Sequence, residues 1–335
     1  MSDTQEFESR LATVVHRMCG NAAKLQAFSR LSGGASQETW LIDIRDGSEP
    51  RQLILRRAPF VAERKLASNA IGLANEAGLI SAAYDAGVPS PQVIYVLQPD
   101  DGLGDGFFMS KVEGETIARR ILRDDRFLDA RKALPKQCGR ALAKIHSIEG
   151  RSVPALQPSG ALDQLDHYES VYRSTGVSRP IIEAALRWLA ETAPAPMEPV
   201  VVHGDFRLGN IMVDKQGLAA VLDWELAHIG DPREDVSWMC VNSWRFGQSE
   251  NRLGGFGRVE DLLEAYAEAG GPVMTAREID WWEILGSLKW GVMCMIMYET
   301  FKSGDDASVE RAAIGRRVSE TEIDLVNLLE ASFHA

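Results

Sequence analysis

One short stretch, VVHGDFRLGNIMVD (residues 201–214), limits most strongly what this chain can fold into. A run of β-branched apolar residues, typical of a buried strand, breaks to place His, Asp, Arg and Asn close together and then resumes as IMV. Because unpaired charge is costly inside a hydrophobic core, these polar residues must either satisfy one another or bind a ligand.

A second apolar run, AAVLDWE (residues 219–225), also delivers an acidic residue at its end. The segment between the two runs alternates in hydrophobicity and contains Gly217, which predicts a β-hairpin. Such a hairpin brings Asp205, Asn210 and Asp223 together. Oxygen ligands of this kind suit Mg²⁺, which takes one or two carboxylates together with phosphate oxygens, as phosphoryl transfer requires. The alternative is a self-satisfied polar turn at two strand ends.

The pattern of apolar residues changes along the chain from strand-like to helical. An amphipathic helix is predicted over residues 5–18, followed by strand-like runs and one helix over about residues 68–86. The runs lie at about 24–31, 38–44, 51–57, 92–97 and 106–112. After EGET (113–116) we predict helices near 129–148, 162–174, 178–192, 232–243, 257–269, 276–301 and 306–331. This order predicts a small β-rich lobe, residues 1–111, and a larger α-rich lobe, residues 112–335.

Composition excludes several classes of function. The 335 residues carry a net charge of −12, which argues against nucleic acid as a partner because a duplex needs a basic face. The longest apolar stretch, residues 284–298, is short for a bilayer and contains Lys289, so we interpret it as a core helix and expect no membrane contact. The polar N-terminus does not resemble a signal peptide. Widely spaced cysteines favour reduced thiols in a cytoplasmic protein over a metal centre or disulfides.

The motif HGDxxxxN of residues 203–210, joined to LDWE and preceded by strands, resembles the catalytic core of the aminoglycoside phosphotransferase and choline kinase family. The resemblance runs from about residue 27 to residue 245. It implies an α+β, protein-kinase-like fold whose N-terminal lobe holds an antiparallel five-stranded sheet plus one helix. The segments LSGGAS, LRR, HGDFRLGN and GDPREDVSW look closer to the branch of kinase-like domains joined to acyl-CoA dehydrogenases.

This resemblance implies a role for each polar residue of the loop. Asp205 would accept or orient the proton of the substrate hydroxyl, and Asn210 and Asp223 would hold Mg²⁺. We interpret His203 as a brace for the loop. Arg207 lies where protein kinases have a lysine that meets the transferred phosphate; the alternative is an exposed loop arginine.

The first lobe supplies the candidate nucleotide-binding residues. In LSGGAS, the N–H groups of Gly34 and Ala35 and the side chain of Ser36 would touch the β- or γ-phosphate, although a glycine pair between strands is also an ordinary hairpin. The third strand has Arg56 where the family has a lysine that pairs with the α- and β-phosphates. Glu76, on the next helix, would pair with Arg56; the alternative is a solvated carboxylate.

The segment joining the lobes would bind adenine through the Ser110 carbonyl and the Val112 N–H group, unless it is an ordinary strand end. The chain is thus predicted to be a Mg²⁺-dependent small-molecule kinase that uses ATP or GTP. Its acceptor would be a hydroxy acid or a CoA thioester of one, near a helix over residues 166–176 that carries Tyr168 and Tyr172. An aminoglycoside or other antibiotic is the second acceptor class, and a catalytically silent nucleotide- or metabolite-binding module is the alternative from another class.

Overall fold

Alternating apolar residues in the first part of the chain form an antiparallel five-stranded sheet. The structure, a computed structural model, describes residues 3–31, 37–58, 71–150, 153 and 156–333. The strand order is β1-β2-β3-β5-β4, with bounds β1 (Ala23–Arg30), β2 (Glu38–Asp46), β3 (Glu49–Arg57), β4 (Val93–Val96) and β5 (Gly106–Ser110). Each strand ends within two residues of its predicted bounds. The sheet and the α+β class are therefore confirmed.

Two helices cover this sheet. The leading helix α1 (Asp3–Cys19) buries Leu11 and Val14 against the sheet residues Ile42 and Leu53. The helix α2 (Leu73–Asp85) packs on β4 and β5. Of the five residues by which α2 falls short of its predicted start, 71 and 72 are not helical and the others lie outside the described residues.

The remainder of the chain is mainly helical, as predicted, with short strands embedded in it. The helices are α3 (Ala118–Arg123), α4 (Leu128–His146), α5 (Ala161–Ser174), α6 (Pro180–Glu191), α7 (Arg233–Cys240), α8 (Val259–Glu268), α9 (Asp280–Ser303), α10 (Val309–Gly315) and α11 (Val318–Phe333). The strands are β6 (Val200–Val202), β7 (Ile211–Val213), β8 (Leu218–Val221) and β9 (His228–Gly230). The predicted hairpin forms between β7 and β8, and β6 pairs with β9.

Three sequence-based expectations about these elements were wrong. The single helix predicted over 306–331 is two helices, because the chain turns after Gly315, where an added Cβ would lie 2.7 Å from the Cβ of Tyr298 on α9. The helix α3 and the strand β9 were missed. Both are short, and a three-residue strand gives no alternation that a pattern can detect.

The apolar cores connect these parts. The largest hydrophobic cluster contains Phe107 of β5, Leu142 of α4 and Trp224 after β8, so the sheet, the helices and the hairpin share buried contacts. A second cluster surrounds α9, whose tryptophans Trp281, Trp282 and Trp290 are buried. The lobe boundary at residues 111 and 112 stays a prediction. Among the residues described, no helix has both the length and the hydropathy needed to cross a bilayer.

Candidate active site

The HGD loop follows β6 and is shaped by one buried carboxylate. The Asp235 carboxylate of α7 accepts the backbone N–H groups of His203, at 2.7 Å, and Gly204, at 2.9 Å. Gly204 has φ of +78°, and a Cβ there would lie 2.4 Å from the carbonyl oxygen of Leu226. Glycine is therefore required at this position, both by its backbone conformation and by the close approach of another strand end.

Asp235 remains a buried anion because its partners offset the cost of burial. Burial alone raises the pKa of Asp235, but His146, whose Nε2 lies 3.2 Å away, and the His203 N–H hold that pKa below its usual value. Asp231 has a different task, since it accepts the N–H and guanidinium groups of Arg233 at the start of α7. Asp235 thus braces the loop, while Asp231 holds the first residue of the helix.

His203 is a structural brace, as its sequence context suggested. Its Nε2 lies 2.9 Å from the carbonyl oxygen of Leu222, and its Nδ1 lies 3.2 Å from the backbone nitrogen of Asp205. Because Nδ1 must accept that N–H, the proton of the neutral ring is on Nε2. The ring thereby ties the loop to the strand that leads to Asp223.

The Asp205 carboxylate is held by donors from three residues. Oδ1 accepts from Trp238 Nε1 at 2.6 Å and from Arg207 Nε at 2.9 Å. Oδ2 accepts from Asn210 Nδ2 at 2.5 Å and from Arg207 Nη2 at 3.3 Å. The Arg207 guanidinium also lies over the ring of Trp244, with Cζ 4.3 Å from the ring centroid. Asp205 is therefore fixed in direction, with its side chain 15% exposed.

Asp223 and Asn210 come together through the hairpin. The Leu222 N–H donates to the Asn210 carbonyl oxygen at 2.8 Å, so Asp223 is the next residue beyond that link. Its backbone has φ of +65°, an unusual value for a residue with a side chain, which turns the carboxylate out of the strand direction. There it accepts a hydrogen bond from Arg56 Nη2 at 2.5 Å.

Arg56 links this carboxylate to the sheet and to α2. Its Nε lies 2.5 Å from Gln37 Oε1 and 3.2 Å from Glu76 Oε1, so the pair expected between Arg56 and Glu76 forms. Glu76 is 1% exposed, and burial raises the pKa of its carboxyl group to about 7, although Arg56 acts to lower it. Within the described part of the chain, neither Glu76 carboxylate oxygen has a well-aligned hydrogen bond.

The donor set at the hairpin fits Mg²⁺. Asn210 uses its amide nitrogen on Asp205, which turns its amide oxygen away from that carboxylate, and Asp223 adds a carboxylate that is 34% exposed. No cluster of three or more His, Cys, Asp or Glu side chains suited to a metal occurs in the ranges that the structure covers. An ion held here by one carboxylate and one amide would complete its shell with water and phosphate oxygens, as Mg²⁺ does.

A family model described as "phosphotransferase enzyme family" matches residues 27–276. The chain belongs to this family. The matched region begins within β1, contains the rest of the sheet, the HGD loop and the hairpin, and extends through α8.

Two curated relatives of this phosphotransferase carry the name of another enzyme. The chain is 29% identical over 215 residues to acyl-CoA dehydrogenase family member 10 of Mus musculus, a match that covers 62% of the chain and 20% of the relative. It is 25% identical over 354 residues to acyl-CoA dehydrogenase family member 11 of Homo sapiens, covering 95% of the chain and 44% of the relative. The chain thus spans less than half the length of either relative.

Solved structures share the fold at low identity. A candidate aminoglycoside phosphotransferase from Ralstonia eutropha has a TM-score of 0.73 at 18% identity, covering 98% of each chain. A choline/ethanolamine kinase family protein from Mesorhizobium loti has 0.61 at 21%, covering 98% of this chain and 95% of that one. Spectinomycin phosphotransferase, solved with ADP and spectinomycin, has 0.63 at 11%, covering 95% and 98%. These likenesses confirm the protein-kinase-like fold.

The residues predicted to bind adenine, the acceptor and the phosphates lie in different parts of the phosphotransferase. Ser110 ends β5 and Val112 follows it, both half-buried, where the chain leaves the sheet. Tyr168 lines a cavity of about 480 Å³ beside Gly204, whereas Tyr172 is buried in the core around α9. Gly34, Ala35 and Ser36 lie outside the described residues.

Sequence reasoning missed three side chains that complete the site: Gln37, Trp238 and Trp244. Gln37 accepts a hydrogen bond from Arg56, and Trp238 donates one to Asp205. The ring of Trp244 packs against the guanidinium of Arg207. The two tryptophans gave no signal beyond an apolar helical pattern, and Gln37 lies in a polar turn. Only their tertiary placement distinguishes them from core or surface residues.

Proposed function

We propose that this chain transfers the γ-phosphoryl group of ATP to a hydroxyl group of a small molecule. The observation that carries the proposal is the meeting of four groups at the ends of β6, β7, β8 and β3: Asp205, Asn210, Asp223 and Arg56. A self-satisfied turn would explain the contacts of Asp205 with Asn210. It would not explain why a half-buried arginine from another sheet binds the partly exposed carboxylate of Asp223, whose backbone has an unusual positive φ.

The proposed reaction is an in-line displacement at the γ-phosphorus. The acceptor oxygen forms a bond to phosphorus, the bond from phosphorus to the bridging oxygen of ADP breaks, and the hydroxyl proton passes to the Asp205 carboxylate. Trp238 and Asn210 hold that carboxylate toward the acceptor. Arg207 already lies beside Asp205, so its guanidinium can donate to the phosphoryl oxygens as charge develops.

The nucleotide would be held from the other side of the cleft. Arg56, oriented by Glu76, would donate to the α- and β-phosphates, and Asn210 and Asp223 would hold Mg²⁺, which when bound offsets phosphate charge. We further propose that the Ser110 carbonyl and the Val112 N–H bind the base. The backbone of Gly34 and Ala35, with Ser36, would cover the phosphates.

For the acceptor we propose a hydroxy acid or a CoA thioester of one. The curated relatives named as acyl-CoA dehydrogenases support this class, since a kinase unit in such a chain would act on an acyl substrate. An aminoglycoside or other antibiotic is the second candidate, favoured by the net charge of −12, which attracts cations.

The test is transfer of label from γ-labelled ATP, and in parallel GTP, to a panel of hydroxy acids, their CoA esters, choline, sugars and aminoglycosides. We expect transfer to at least one acceptor, and a fall in kcat of about 10³-fold in Asp205→Asn, the usual scale for a lost general base. Binding of Mg·ATP, measured by calorimetry, should persist in that variant.

A matched control is Asp214→Asn, in the turn of the same hairpin, where asparagine can replace the aspartate that accepts the Gln216 N–H. Its activity should equal that of the wild type. Mg·ATP binding without transfer to any acceptor would identify a silent binding module instead. Full activity of Asp205→Asn would contradict the assignment of the base.

A further inference from the structure

Four arginines that lie far apart in the sequence line one groove. Arg119 and Arg123 come from α3, and Arg316 and Arg317 come from the junction of α10 and α11. The groove has a volume of about 600 Å³, large enough for part of a small ligand. Its other walls come from residues within 242–249, which follow α7, and from Ala313, Glu320 and Asp324 of α10 and α11. We call it the arginine groove.

The carboxylates in the groove, Glu320 and Asp324, offset only part of this positive charge. Arg317 pairs with Glu320 at 2.9 Å. By contrast, Arg119, Arg123 and Arg316 are exposed and have no ion-pair partner among the residues that the structure describes. Three unpaired guanidinium groups in one groove are unexpected in a chain with 48 acidic and 36 basic residues. A bound anion would offset these positive charges.

The arginine groove is connected to the proposed base by a row of side chains in contact. The Arg317 Cζ lies 5.8 Å from the ring centroid of Trp290, whose ring centroid is 4.8 Å from that of Trp244. The Trp244 ring in turn contacts the guanidinium of Arg207, which forms an ion pair with Asp205. Asn242 and Ser243, which precede Trp244 in its 3-10 turn, line the groove. The groove and the proposed base are therefore joined through one packed pair of tryptophans, Trp290 and Trp244.

We propose that the arginine groove binds a phosphate-bearing portion of the acceptor, while the hydroxyl group of that acceptor reaches Asp205. This inference rests on the proposed function, because it takes the ligand of the groove to be the phosphoryl acceptor. It restricts that acceptor to compounds that carry a phosphate group. Arginine forks match the oxygens of a diphosphate in pairs. A free hydroxy acid has a single carboxylate, which does not account for three arginines, and a cationic aminoglycoside would be repelled. A CoA thioester has the required charge.

The test is equilibrium binding that needs no turnover. Coenzyme A, pyrophosphate and pantetheine, which lacks the phosphates, are titrated into the whole chain with saturating Mg·ADP to occupy the nucleotide site. We expect the wild type to bind coenzyme A at least 10-fold more tightly than pantetheine. The double variant Arg119→Ala/Arg316→Ala should weaken coenzyme A binding at least 10-fold. Raising the salt concentration should also weaken it.

The matched control is Arg140→Ala, which removes an exposed arginine of α4 outside the groove and should leave binding unchanged. Circular dichroism establishes that each variant is folded. Equal affinity of the double variant and the wild type for coenzyme A would overturn the proposal. So would equal affinity of the wild type for coenzyme A and pantetheine.

Kinetics separate this inference from the proposed function. Arginine-dependent binding of coenzyme A without any phosphoryl transfer would support the groove and contradict the kinase proposal. Transfer to free hydroxy acids with the same kcat/KM as to their CoA esters, unaffected by the double variant, would support the kinase and overturn the groove.

Discussion

The two charged clusters of the candidate active site differ in how completely their groups are satisfied. Around Asp205 and Asp235, each carboxylate accepts hydrogen bonds from several donors, and the backbone N–H groups of the loop are paired as well. Around Arg56, by contrast, one guanidinium is shared among Gln37, Glu76 and Asp223. Glu76 is left buried with neither oxygen well bonded among the residues described.

This difference fits two different tasks. A base must keep one orientation, and redundant hydrogen bonds supply that before any substrate arrives. A phosphate-binding cluster must exchange partners when an anion enters, so incomplete satisfaction leaves arginine free to rearrange. We therefore expect variants of the loop to change stability and variants of the Arg56 cluster to change nucleotide affinity and pH dependence.

The largest effect is expected for Asp235→Ala. The variant leaves the N–H groups of His203 and Gly204 buried without an acceptor, so the free energy of unfolding should fall by about 3–5 kcal/mol, the scale for a broken buried charge pair. Urea denaturation measures this change. Glu264→Ala, which breaks an exposed pair with Lys136, is the control and should change stability by less than about 1 kcal/mol. Similar losses in both variants would contradict the bracing role.

Arg56→Ala should mainly weaken the use of the nucleotide, measured as kcat/KM for ATP. Loss of a charged hydrogen bond is worth about 1.5–3 kcal/mol, so kcat/KM for ATP should fall by about 10- to 100-fold. Arg56→Lys should recover part of that loss because it keeps the charge but not the fork. Arg51→Ala, an exposed change on the same strand, should leave the value unchanged. An unaltered KM and kcat in Arg56→Ala would remove this arginine from the nucleotide site.

Trp238→Phe should affect the chemical step alone. The variant removes one of the donors to Asp205 while keeping a ring in the core, so kcat should fall by about 10-fold with little change in KM for ATP. Steady-state kinetics with both substrates varied measures this. Trp188→Phe, on α6 away from the loop, is the control. A change in KM without a change in kcat would contradict a role in holding the base.

Glu76→Gln should be visible as a change in the pH dependence of stability. The pKa of Glu76 is about 7 in the folded chain and 4.5 when the side chain is exposed in the unfolded chain, so folding takes up a proton between these values. This contribution to stability is full below about pH 4.5 and is lost as pH rises through about 7. The thermal midpoint of the wild type, minus that of Glu76→Gln, should therefore decrease from pH 5 to pH 8. Parallel curves would contradict the raised pKa.

Much of the site could be predicted from local spacing. The five-residue step from Asp205 to Asn210, and the alternation that forms the β7–β8 hairpin, depend on short-range geometry that the chain carries in consecutive residues. The sheet followed the same logic in part, since buried and half-buried residues alternate in β3 from Leu53 to Arg57. The short strand β9 and the division of α10 from α11 escaped prediction because packing, rather than periodicity, fixes them.

The sequence by itself thus determined the five-stranded sheet, the helical remainder and the polar loop between two strands. Only the tertiary structure decided that Trp238 would hold Asp205, that Arg56 would meet both Glu76 and Asp223, and that arginines from α3 and from the junction of α10 and α11 would share a groove. The physical reason is distance along the chain. Hydrophobic periodicity acts over a few residues, whereas charge partners are chosen by whichever side chains the packed core brings within a few ångströms.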